Sequence, residues 1–508
     1  MNQRHWLIMI PMGITVAMVN LDISAVNLAL AHIANDLHVS LSAIQWVVNG
    51  YSMAAAMFMV IGSRLADTWG RHTAFTVCLS LFLAGSIAAG LANGEPGIVI
   101  GRIVQGIGMA SFPVAMVIVH TAFPEKHRSL AMGITSAIAG LSQVVGPTLG
   151  GAILHYLGWR WIFFINVPLG ITAVILARLW VPEMKPEARP KLDYIGQTLL
   201  AAGLFAMLCA LNEVQKWGWD SPAFLALLFG GAALLFVFVA VERRTRNPLI
   251  ELDLFADSAF VAANLIRVIF QIVSFGLFFL LGLYFQNVLC FTAIKAGLLL
   301  LWLTATMAVL APVVGQCMDK IGARIPLLVG MALTAAGCLL LSRSLTQASL
   351  VEMAVSLGVL GVGFSAALTG TVSAALSSAP KTRAGLAAGV LYMNALVGAS
   401  LGTAATGLVL RAEAHASVGR FLASQPVELT ASQRQCVERV AVGAHSPELL
   451  STELPAGAAP KVMPAAREGF VAGFRKNLQI YAWLSCIGLA LTWFLRPPQR
   501  REGDRDTG

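Results

Sequence analysis

Two ionisable residues of opposite charge lie inside long apolar segments of the sequence. Asp22 falls within NLDISAVNLAL (Asn20–Leu30), and Arg102 falls within GRIVQGIGMA (Gly101–Ala110). A charged side chain costs about 2.5–3.5 kcal/mol or more in the middle of a bilayer, so the few that occur there usually have a function. A carboxylate beside a permanent cation at such a depth can bind and release a proton as its surroundings change. Asp22 and Arg102 therefore predict a proton-coupling pair; the alternatives are a structural ion pair, or an Arg102 side chain that extends to the membrane surface.

Amide side chains accompany both residues. Asn20 and Asn27 recur at helical spacing, on a face nearly opposite to Asp22 at about 100° per residue. Either the asparagine face or the aspartate face lines a cavity, and the other packs against a neighbouring helix. Gln105 follows Arg102 by three residues and shares its face. Asn20, Asn27 and Gln105 are accordingly predicted to line a substrate cavity.

A polar stripe marks a later apolar segment. Asn264, Arg267, Gln271 and Ser274 follow one another at intervals of three, four and three residues, which places them on one face of a helix. Such a face points at water or substrate rather than at lipid. Asn264, Arg267 and Gln271 are predicted to line the cavity; the alternative is that Arg267 pairs with lipid headgroups or with a carboxylate in a loop.

The segment SQVVGPTLGG (Ser142–Gly151) combines a proline with small residues. Gly146, Gly150 and Gly151 allow a neighbouring helix to approach closely, and Pro147 lacks the backbone donor of a straight helix. Any tight helix crossing can use this pattern. It therefore predicts close packing and a bend rather than a particular activity.

These residues are embedded in a chain whose composition is typical of a membrane protein. Of its 508 residues, 57% are hydrophobic and 12% are charged, whereas soluble domains have about 25% charged residues. Apolar runs near the spanning length of about 20 residues recur along the chain. We predict an all-α polytopic membrane protein with about fourteen transmembrane helices, at approximately 7–30, 43–63, 73–92, 97–119, 129–154, 161–181, 193–212, 222–241, 258–285, 294–318, 325–342, 348–374, 381–410 and 470–495.

The positive charges indicate the orientation of the helices. Lysine and arginine gather in alternate short connections, which marks those connections as cytoplasmic. An even number of spans with both termini in the cytoplasm follows, and the net charge of +9 reflects topology rather than nucleic-acid binding. The basic connections contain Arg64 and Arg71; Lys126 and Arg128; Lys185, Arg189 and Lys191; Arg243, Arg244 and Arg246; Lys320 and Arg324; Lys381 and Arg383; and Arg496, Arg500, Arg501 and Arg505.

An internal repeat relates two of these cytoplasmic connections. SRLADTWGRH (Ser63–His72) and GQCMDKIGAR (Gly315–Arg324) both contain an aspartate, a glycine three residues later and then an arginine. Transporters are commonly built from two such related halves with the binding site between them. The matched residues are Asp67, Gly70 and Arg71 in the first connection, and Asp319, Gly322 and Arg324 in the second.

Matching two six-helix halves leaves one helix pair between them. We predict an N-terminal half over residues 1–181, an inserted helix pair with its linkers over 182–257, a C-terminal half over 258–495 and a cytoplasmic tail over 496–508. Residues 411–469 are too polar to span and are predicted to form an outer loop. That loop is either a small extracellular lid or an excursion of low order.

Other classes of protein lack support in the sequence. It contains no pairing of a nucleophile with a base, no cluster of metal ligands and no Gly-x-x-x-x-Gly-Lys loop for a nucleotide. The seven cysteines show no paired spacing. We expect neither an enzyme nor a bound metal or cofactor. A sensor or assembly protein would not need both Asp22 and Arg102 at depth.

Together these motifs resemble the major facilitator superfamily, and within it the fourteen-helix drug:proton antiporter family of EmrB/QacA type. SRLADTWGRH is similar to the superfamily's Asp-x-x-Gly-Arg loop, with Ser63 in place of its leading glycine and Thr68 in place of a usual arginine. GRIVQGIGMA resembles the Arg-x-x-x-Gly motif of the fourth helix. SQVVGPTLGG resembles the antiporter Gly-Pro motif, with Ser142 at a position that is usually glycine. NLDISAVNLAL and WRWIFFINVPLG (Trp159–Gly170) are also similar to family motifs.

The resemblance implies the major facilitator fold, with two six-helix halves plus two inserted helices, and alternating access driven by a proton gradient instead of a cofactor. Asp22 would take the coupling proton and Arg102 would tune it. The repeated loops, including Asp67 and Arg71, would latch the cytoplasmic side, and the bend at Pro147 would favour export.

The implied partners are a small-molecule substrate, protons and the lipid of the cytoplasmic (inner) membrane, with a periplasmic adaptor protein if the cell has an outer membrane, and no nucleic acid. The expected substrates are amphipathic compounds such as antibiotics or toxic organics. The alternative is a dedicated exporter of one endogenous metabolite or siderophore. Because Arg267 adds positive charge and the tenth and thirteenth predicted spans contain no buried carboxylate, a dicationic substrate is disfavoured.

Overall fold

The protein is a bundle of long helices. The computed structural model describes residues 3–39, 41–183, 193–291, 293–347, 349–424 and 459–495, with a few isolated residues between 430 and 440. Within these residues all regular structure is helical. The helices are α1 (Gln3–Asp36), α2 (Leu41–Trp69), α3 (Arg71–Gly90), α4 (Glu95–Gly108), α5 (Ser111–Ala122), α6 (Arg128–Tyr156), α7 (Arg160–Phe164), α8 (Asn166–Trp180), α9 (Tyr194–Trp217), α10 (Pro222–Glu242), α11 (Ser258–Leu283), α12 (Ala293–Ile321), α13 (Arg324–Gln347), α14 (Leu350–Ser378), α15 (Ala384–Ser424) and α16 (Ala459–Leu491).

The number of candidate membrane spans is close to the predicted number. In the described part of the chain, twelve helices are long and apolar enough to cross a membrane, and a thirteenth is added if the two bent parts of α6 count as one span. All fourteen predicted apolar runs lie in helices. The last of them, α16, is 33 residues long, but its first eighteen residues include Arg467, Arg475 and Lys476. These charges lower its hydropathy, so composition alone does not qualify α16 as a span.

Glycines bring α3 and α4 into backbone contact. A Cβ atom added at Gly85 would lie 2.3 Å from the backbone nitrogen of Gln105, and one added at Gly108 would lie 2.1 Å from that of Phe82. Real Cβ atoms do not approach backbone so closely, so only glycine permits this packing. The close approach holds Gln105, one turn after Arg102, in the interior of the bundle.

The helices associate as two groups that meet along two seams. Helices α1 to α8 pack on one another, and α11 to α16 do the same. The seams are α2 against α15 and α6 against α12. Between the two groups in sequence, α9 and α10 pack together, and α9 also contacts α2 and α15. The predicted inserted pair thus lies beside one seam.

The predicted outer loop is shorter than expected at both ends. Helix α15 continues to Ser424 and α16 begins at Ala459, so residues 411–424 and 459–469 are helical instead of loop. The extension follows from composition, because the sequence RAEAHASVGRFLAS after Leu410 is rich in good helix formers. Most of the remainder of this loop, the linker residues 184–192 and the tail 496–508 lie outside the described residues.

Candidate functional site

Asp22 lies at the centre of a buried polar network. Arg102 Nη1 donates to Asp22 Oδ2 at 2.6 Å, and the side chains of Arg102 and Asp22 are 1% and 0% exposed. Gln105 Nε2 and Asn166 Nδ2 each donate to Asp22 Oδ1 at 2.8 Å. Both carboxylate oxygens therefore accept hydrogen bonds, from donors on α4 and α8. These bonds are short and buried, and the bond from Arg102 is charge-assisted, so they are stronger than an ordinary hydrogen bond.

Arg102 is equally well satisfied. Its Nε donates to the carbonyl of Val47 at 3.0 Å, and its Nη1 also donates to Gln105 Oε1 at 2.7 Å. The guanidinium lies 4.0 Å from the centre of the Tyr51 ring, within the range of a cation–π contact. Arg102 thus does not extend to the membrane surface, and Asp22 is its counter-charge.

A second layer of hydrogen bonds fixes the donors to Asp22. Ser86 Oγ accepts from Gln105 at 3.1 Å and from Asn166 at 2.9 Å, and it donates to the carbonyl of Phe163. Gln105, predicted as a cavity residue, lies fully buried inside this network because it bridges Asp22 and Arg102. Sequence reasoning did not single out Ser86 or Asn166. The only signal for Asn166 was its place in the motif WRWIFFINVPLG.

The charge of Asp22 is tied to the packing of three helices, because its carboxylate on α1 accepts hydrogen bonds from α4 and α8. Protonating Asp22 would cancel the negative charge that holds Arg102 and would replace an acceptor by a donor. Proton binding would then be thermodynamically coupled to a rearrangement of α1 against α4 and α8. This is the chemistry that the arrangement can perform; no bond-breaking step is involved.

The two faces of α1 have different surroundings. The face with Asp22 packs against α4 and α8, as described above. On the other side, Asn20 is buried and its Oδ1 accepts from Gln143 Nε2 of α6 at 3.1 Å. Asn27 is exposed and donates to the carbonyl of Ile23 in its own helix. Both faces of α1 therefore pack against neighbouring helices, the aspartate face through Asp22 and the asparagine face through Asn20, whereas Asn27 does not.

Two aspartates join the two helix groups near the C-terminal ends of α2 and α12. Asp67 accepts from the backbone N–H groups of Gly385 and Leu386, at 3.1 and 2.9 Å, at the start of α15. Asp319 accepts from the backbone N–H groups of Ser129 and Leu130, both at 2.9 Å, at the start of α6.

The two aspartates form reciprocal contacts across the seams. A carboxylate at a helix N-terminus satisfies unpaired N–H groups and complements the helix dipole. Each aspartate belongs to one group of helices, and the helix that it caps belongs to the other. We call the two contacts the Asp67 latch and the Asp319 latch.

The glycines and arginines of the repeated loops have distinct surroundings. Gly70 and Gly322 have φ values of +99° and +78°, which favour glycine and let each loop turn sharply into the next helix. Arg71 Nη1 donates to Thr121 Oγ1 at 2.5 Å. Arg324 stacks on Trp493, with its guanidinium carbon 4.3 Å from the ring centre. Both predicted arginines thus brace helices of their own group.

A third contact between the groups involves a residue that sequence reasoning missed. Glu251, in the linker between α10 and α11, accepts from Arg64 Nη2 at 2.9 Å and from Arg383 Nε at 2.5 Å. Arg64 belongs to α2, and Arg383 lies just before α15. The linker is shaped by Glu242, whose carboxylate accepts from the N–H groups of Leu249 and Ile250. We call this contact the Glu251 bridge.

We expect Glu251→Gln to loosen this face of the protein without unfolding it. An ion pair of this type contributes about 1 kcal/mol, so losing both would increase local opening by roughly thirty-fold at about 1.4 kcal/mol per factor of ten. Hydrogen–deuterium exchange should become faster in residues 246–256 and 381–390. The control is Asp253→Asn, because Asp253 is an exposed carboxylate in the same linker. Equal exchange rates in the two variants would contradict the role of the bridge.

The glycines of the Gly-Pro segment bring α6 against α1. A Cβ at Gly146 would lie 1.8 Å from Ser24 Oγ, and one at Gly150 would lie 2.8 Å from the Ala25 Cβ. A Cβ at Gly151 would meet Leu28 at an ordinary 3.6 Å. The two parts of α6 on either side of Pro147 are inclined by 43°, as a proline inside a helix causes.

These distances predict different outcomes for neighbouring substitutions. Gly146→Ala should lower stability by about 1–3 kcal/mol, because the added methyl group overpacks the contact with α1. Gly151→Ala should be tolerated. Thermal unfolding of the two purified variants, compared with the parent protein, measures the difference. A lower melting temperature for Gly151→Ala than for Gly146→Ala would show that this packing argument is wrong.

The polar stripe of α11 lies at the junction of α11, α14 and α15. Asn264 Oδ1 accepts from Asn394 Nδ2 at 3.0 Å. Arg267 is 4% exposed, and its Nη1 donates to the carbonyl of Leu368 at 3.5 Å. Gln271 is half-buried. The structure thus groups Asn264 and Arg267 inside the bundle, far along the chain from the Asp22 network.

Solved structures of similar shape share this architecture. The human organic anion transporter MFSD10 (TETRAN) matches with a TM-score of 0.62 and 13% identity, over 96% of this chain and 99% of that chain. The proton:xylose symporter XylE matches with a TM-score of 0.60 and 13% identity, over 97% of this chain and 95% of that chain. At this level of identity the likeness establishes the fold alone.

Sequence relatives are closer. The chain is 35% identical over 416 residues to the multidrug resistance protein Stp of Mycobacterium tuberculosis, covering 81% of this chain and 77% of that protein. It is 32% identical over 409 residues to the tetracenomycin C resistance and export protein of Streptomyces glaucescens, covering 80% and 76%. The sequence profile of the Major Facilitator Superfamily matches residues 12–403. With its fold, its two repeated loops and this match in agreement, the chain belongs to the major facilitator superfamily.

Proposed function

We propose that this protein exports small amphipathic compounds, including antibiotics, from the cytoplasm in exchange for protons. The observation that carries the proposal is the buried Asp22–Arg102 pair, a carboxylate and a guanidinium in direct contact inside the helix bundle. The relatives support the substrate class, since one is a multidrug resistance protein and the other is a tetracenomycin C resistance and export protein.

The proposed mechanism is alternating access. In the conformation described here, the Asp67 latch, the Asp319 latch and the Glu251 bridge hold the two helix groups together at one face. Arginine and lysine residues mark that face as cytoplasmic, with both termini on the same side of the inner membrane. A proton that reaches Asp22 would weaken its hold on Arg102, favour opening of the latches and expose the substrate site to the cytoplasm.

Export from cells tests this proposal. Cells with and without the protein would be loaded with a panel of neutral, cationic and anionic amphipathic compounds, and efflux would be followed with and without a proton uncoupler. We expect the protein to lower the accumulation of several compounds and the uncoupler to abolish the difference. Efflux that continues in the presence of the uncoupler, or no change in accumulation of any compound, would overturn the proposal.

A further inference from the structure

Arg267 differs from every other buried charge in the described part of the chain. Five charged side chains are buried there, and four of them have an opposite charge or backbone N–H donors as partners: Asp22, Arg64, Arg102 and Glu242. Among the described residues, no carboxylate forms an ion pair with Arg267. A buried guanidinium without a counter-charge is costly, so its retention calls for a ligand.

The protein contacts of Arg267 are weak. Its Nη1 reaches the carbonyl of Leu368 only at 3.5 Å, beyond the usual range of an N–H···O bond. Its Nε is buried and has no hydrogen-bond acceptor. The guanidinium carbon lies 5.7 Å from the centre of the Phe270 ring and 5.4 Å from that of Tyr392. These aromatic faces surround the cation but do not neutralise it.

Two hydroxyl groups on α14 also lack partners. Ser365 and Thr369 flank Leu368 on one turn of this helix, and both hydroxyl oxygens are buried without a hydrogen bond. Hydroxyl groups in helices usually bond to a carbonyl one turn earlier, as Thr371 does with Ala367 at 2.7 Å. Next to the helix turn that Arg267 contacts, α14 therefore offers two uncommitted donors.

The aromatic surroundings connect the two helix groups. Tyr392 meets the edge of Phe112, which belongs to α5 in the N-terminal group, with ring centres 5.0 Å apart. Phe270 meets Phe364 of α14 at 5.2 Å. The Tyr392 ring thus contacts both Arg267 in its own group and Phe112 of the other group, at the place where alternating access would separate the two groups. Arg267 is also nine residues into α11, about 14 Å along its axis at 1.5 Å per residue and near mid-depth of the bilayer.

We infer that Arg267 binds the acidic group of an aromatic organic anion, with a carboxylate as the simplest case. The planar guanidinium fork matches a carboxylate with two parallel hydrogen bonds, the uncommitted hydroxyl groups supply further donors, and the rings receive the aromatic body. The inference rests on the proposed function and assigns the substrate class of that transporter. It also explains why a positive charge is present at Arg267 without a carboxylate from the protein, since Asp22 is already neutralised by Arg102.

Equilibrium binding to the purified, full-length protein tests the inference without a proton gradient. The probes are aromatic carboxylates paired with their neutral amides, beginning with 2-naphthoate and 2-naphthamide. We expect the carboxylate to bind at least about ten-fold more tightly than the amide, as for a hydrogen bond to a charged group. Arg267→Gln should remove this preference and leave amide binding within about two-fold, while Arg267→Lys should retain part of it. The control is Arg178→Gln, which removes an exposed arginine from α8.

Thermal unfolding provides a second readout. Without ligand, Arg267→Met should raise the melting temperature, because it removes an uncompensated buried cation. Arg102→Met should lower it, because it leaves Asp22 without its counter-charge. In the parent protein, 2-naphthoate should raise the melting temperature more than 2-naphthamide does.

Three results would overturn the inference. The first is that no carboxylate of the series binds more tightly than its amide. The second is that Arg267→Gln weakens carboxylate and amide binding equally, and the third is that Arg267→Met lowers the melting temperature. Binding is measured without a gradient, so loss of uncoupler-sensitive efflux with intact carboxylate preference would contradict the proposed function and not this site.

Discussion

We expect Asp22→Asn to abolish proton-driven efflux while the protein remains folded in the membrane. Asparagine keeps the size of the side chain and an oxygen for Arg102, but it removes the group that takes up the proton. Arg102 then lacks its counter-charge, and breaking a buried ion pair costs about 3–5 kcal/mol. The variant should therefore also unfold at a lower temperature. Efflux from proteoliposomes with an imposed pH gradient, and thermal unfolding of the same preparation, measure the two effects.

The same helix offers a matched control for this substitution. Asp36 lies at the exposed end of α1, where hydrogen bonds from Trp159 and Arg160 hold its pKa below the usual range of an aspartate. Asp36→Asn removes one negative charge from α1 outside the membrane and should leave efflux unchanged. Uncoupler-sensitive efflux by Asp22→Asn at the level of Asp36→Asn would refute the coupling role of Asp22.

The second large effect is expected from the two latches together. In the double variant Asp67→Asn/Asp319→Asn, each asparagine keeps an acceptor for the helix N-terminus but loses the charge. A hydrogen bond to a charged group contributes about 1.5–3 kcal/mol, against about 1 kcal/mol for a neutral one. With two bonds in each latch, the loss is roughly 2 kcal/mol or more, so the open population should rise about thirty-fold or more.

Distances between spin labels would detect this shift. One label at Lys126 and one at Thr382, both exposed and on different helix groups, report on separation of the latched face. We expect the double variant to populate a longer distance that the parent protein lacks. Asp220→Asn, which changes an exposed carboxylate between α9 and α10, is the control. Identical distance distributions in the double variant and the control would show that the latches do not hold this face closed.

The helices and the central ion pair could be predicted because both follow from strong physical constraints. An apolar run of about 20 residues has few alternatives to a membrane helix. Two opposite charges in such runs have few possible partners other than each other, as is the case for Asp22 and Arg102. The span count differs because the N-terminal part of α16 carries charged residues, with Arg467 and Lys476 exposed, and these lower the hydropathy of the helix.

The rest of the candidate site could not be predicted because it depends on which distant residues meet. Asn166 and Ser86 are unremarkable in sequence, and their roles arise only when α8 and α3 pack against α1 and α4. Glu251 is one acid in a polar linker, yet it joins arginines that are separated from it by 187 and 132 residues. Such pairings follow from the assembled bundle and leave no local pattern.

The Glu251 bridge has a consequence for how this chain could be shortened. The predicted inserted segment contacts both groups of helices through Glu251, and it contacts α2 a second time through Gln197 of α9, which donates to the carbonyl of Met57 at 2.9 Å. A shortened derivative made by deleting residues 182–257 would lack α9 and α10 and would leave Arg64 without its carboxylate partner. We expect that deletion to be tolerated only with a compensating substitution at Arg64. An evolutionary or engineered loss of α9 and α10 would therefore have to be accompanied by a change at Arg64.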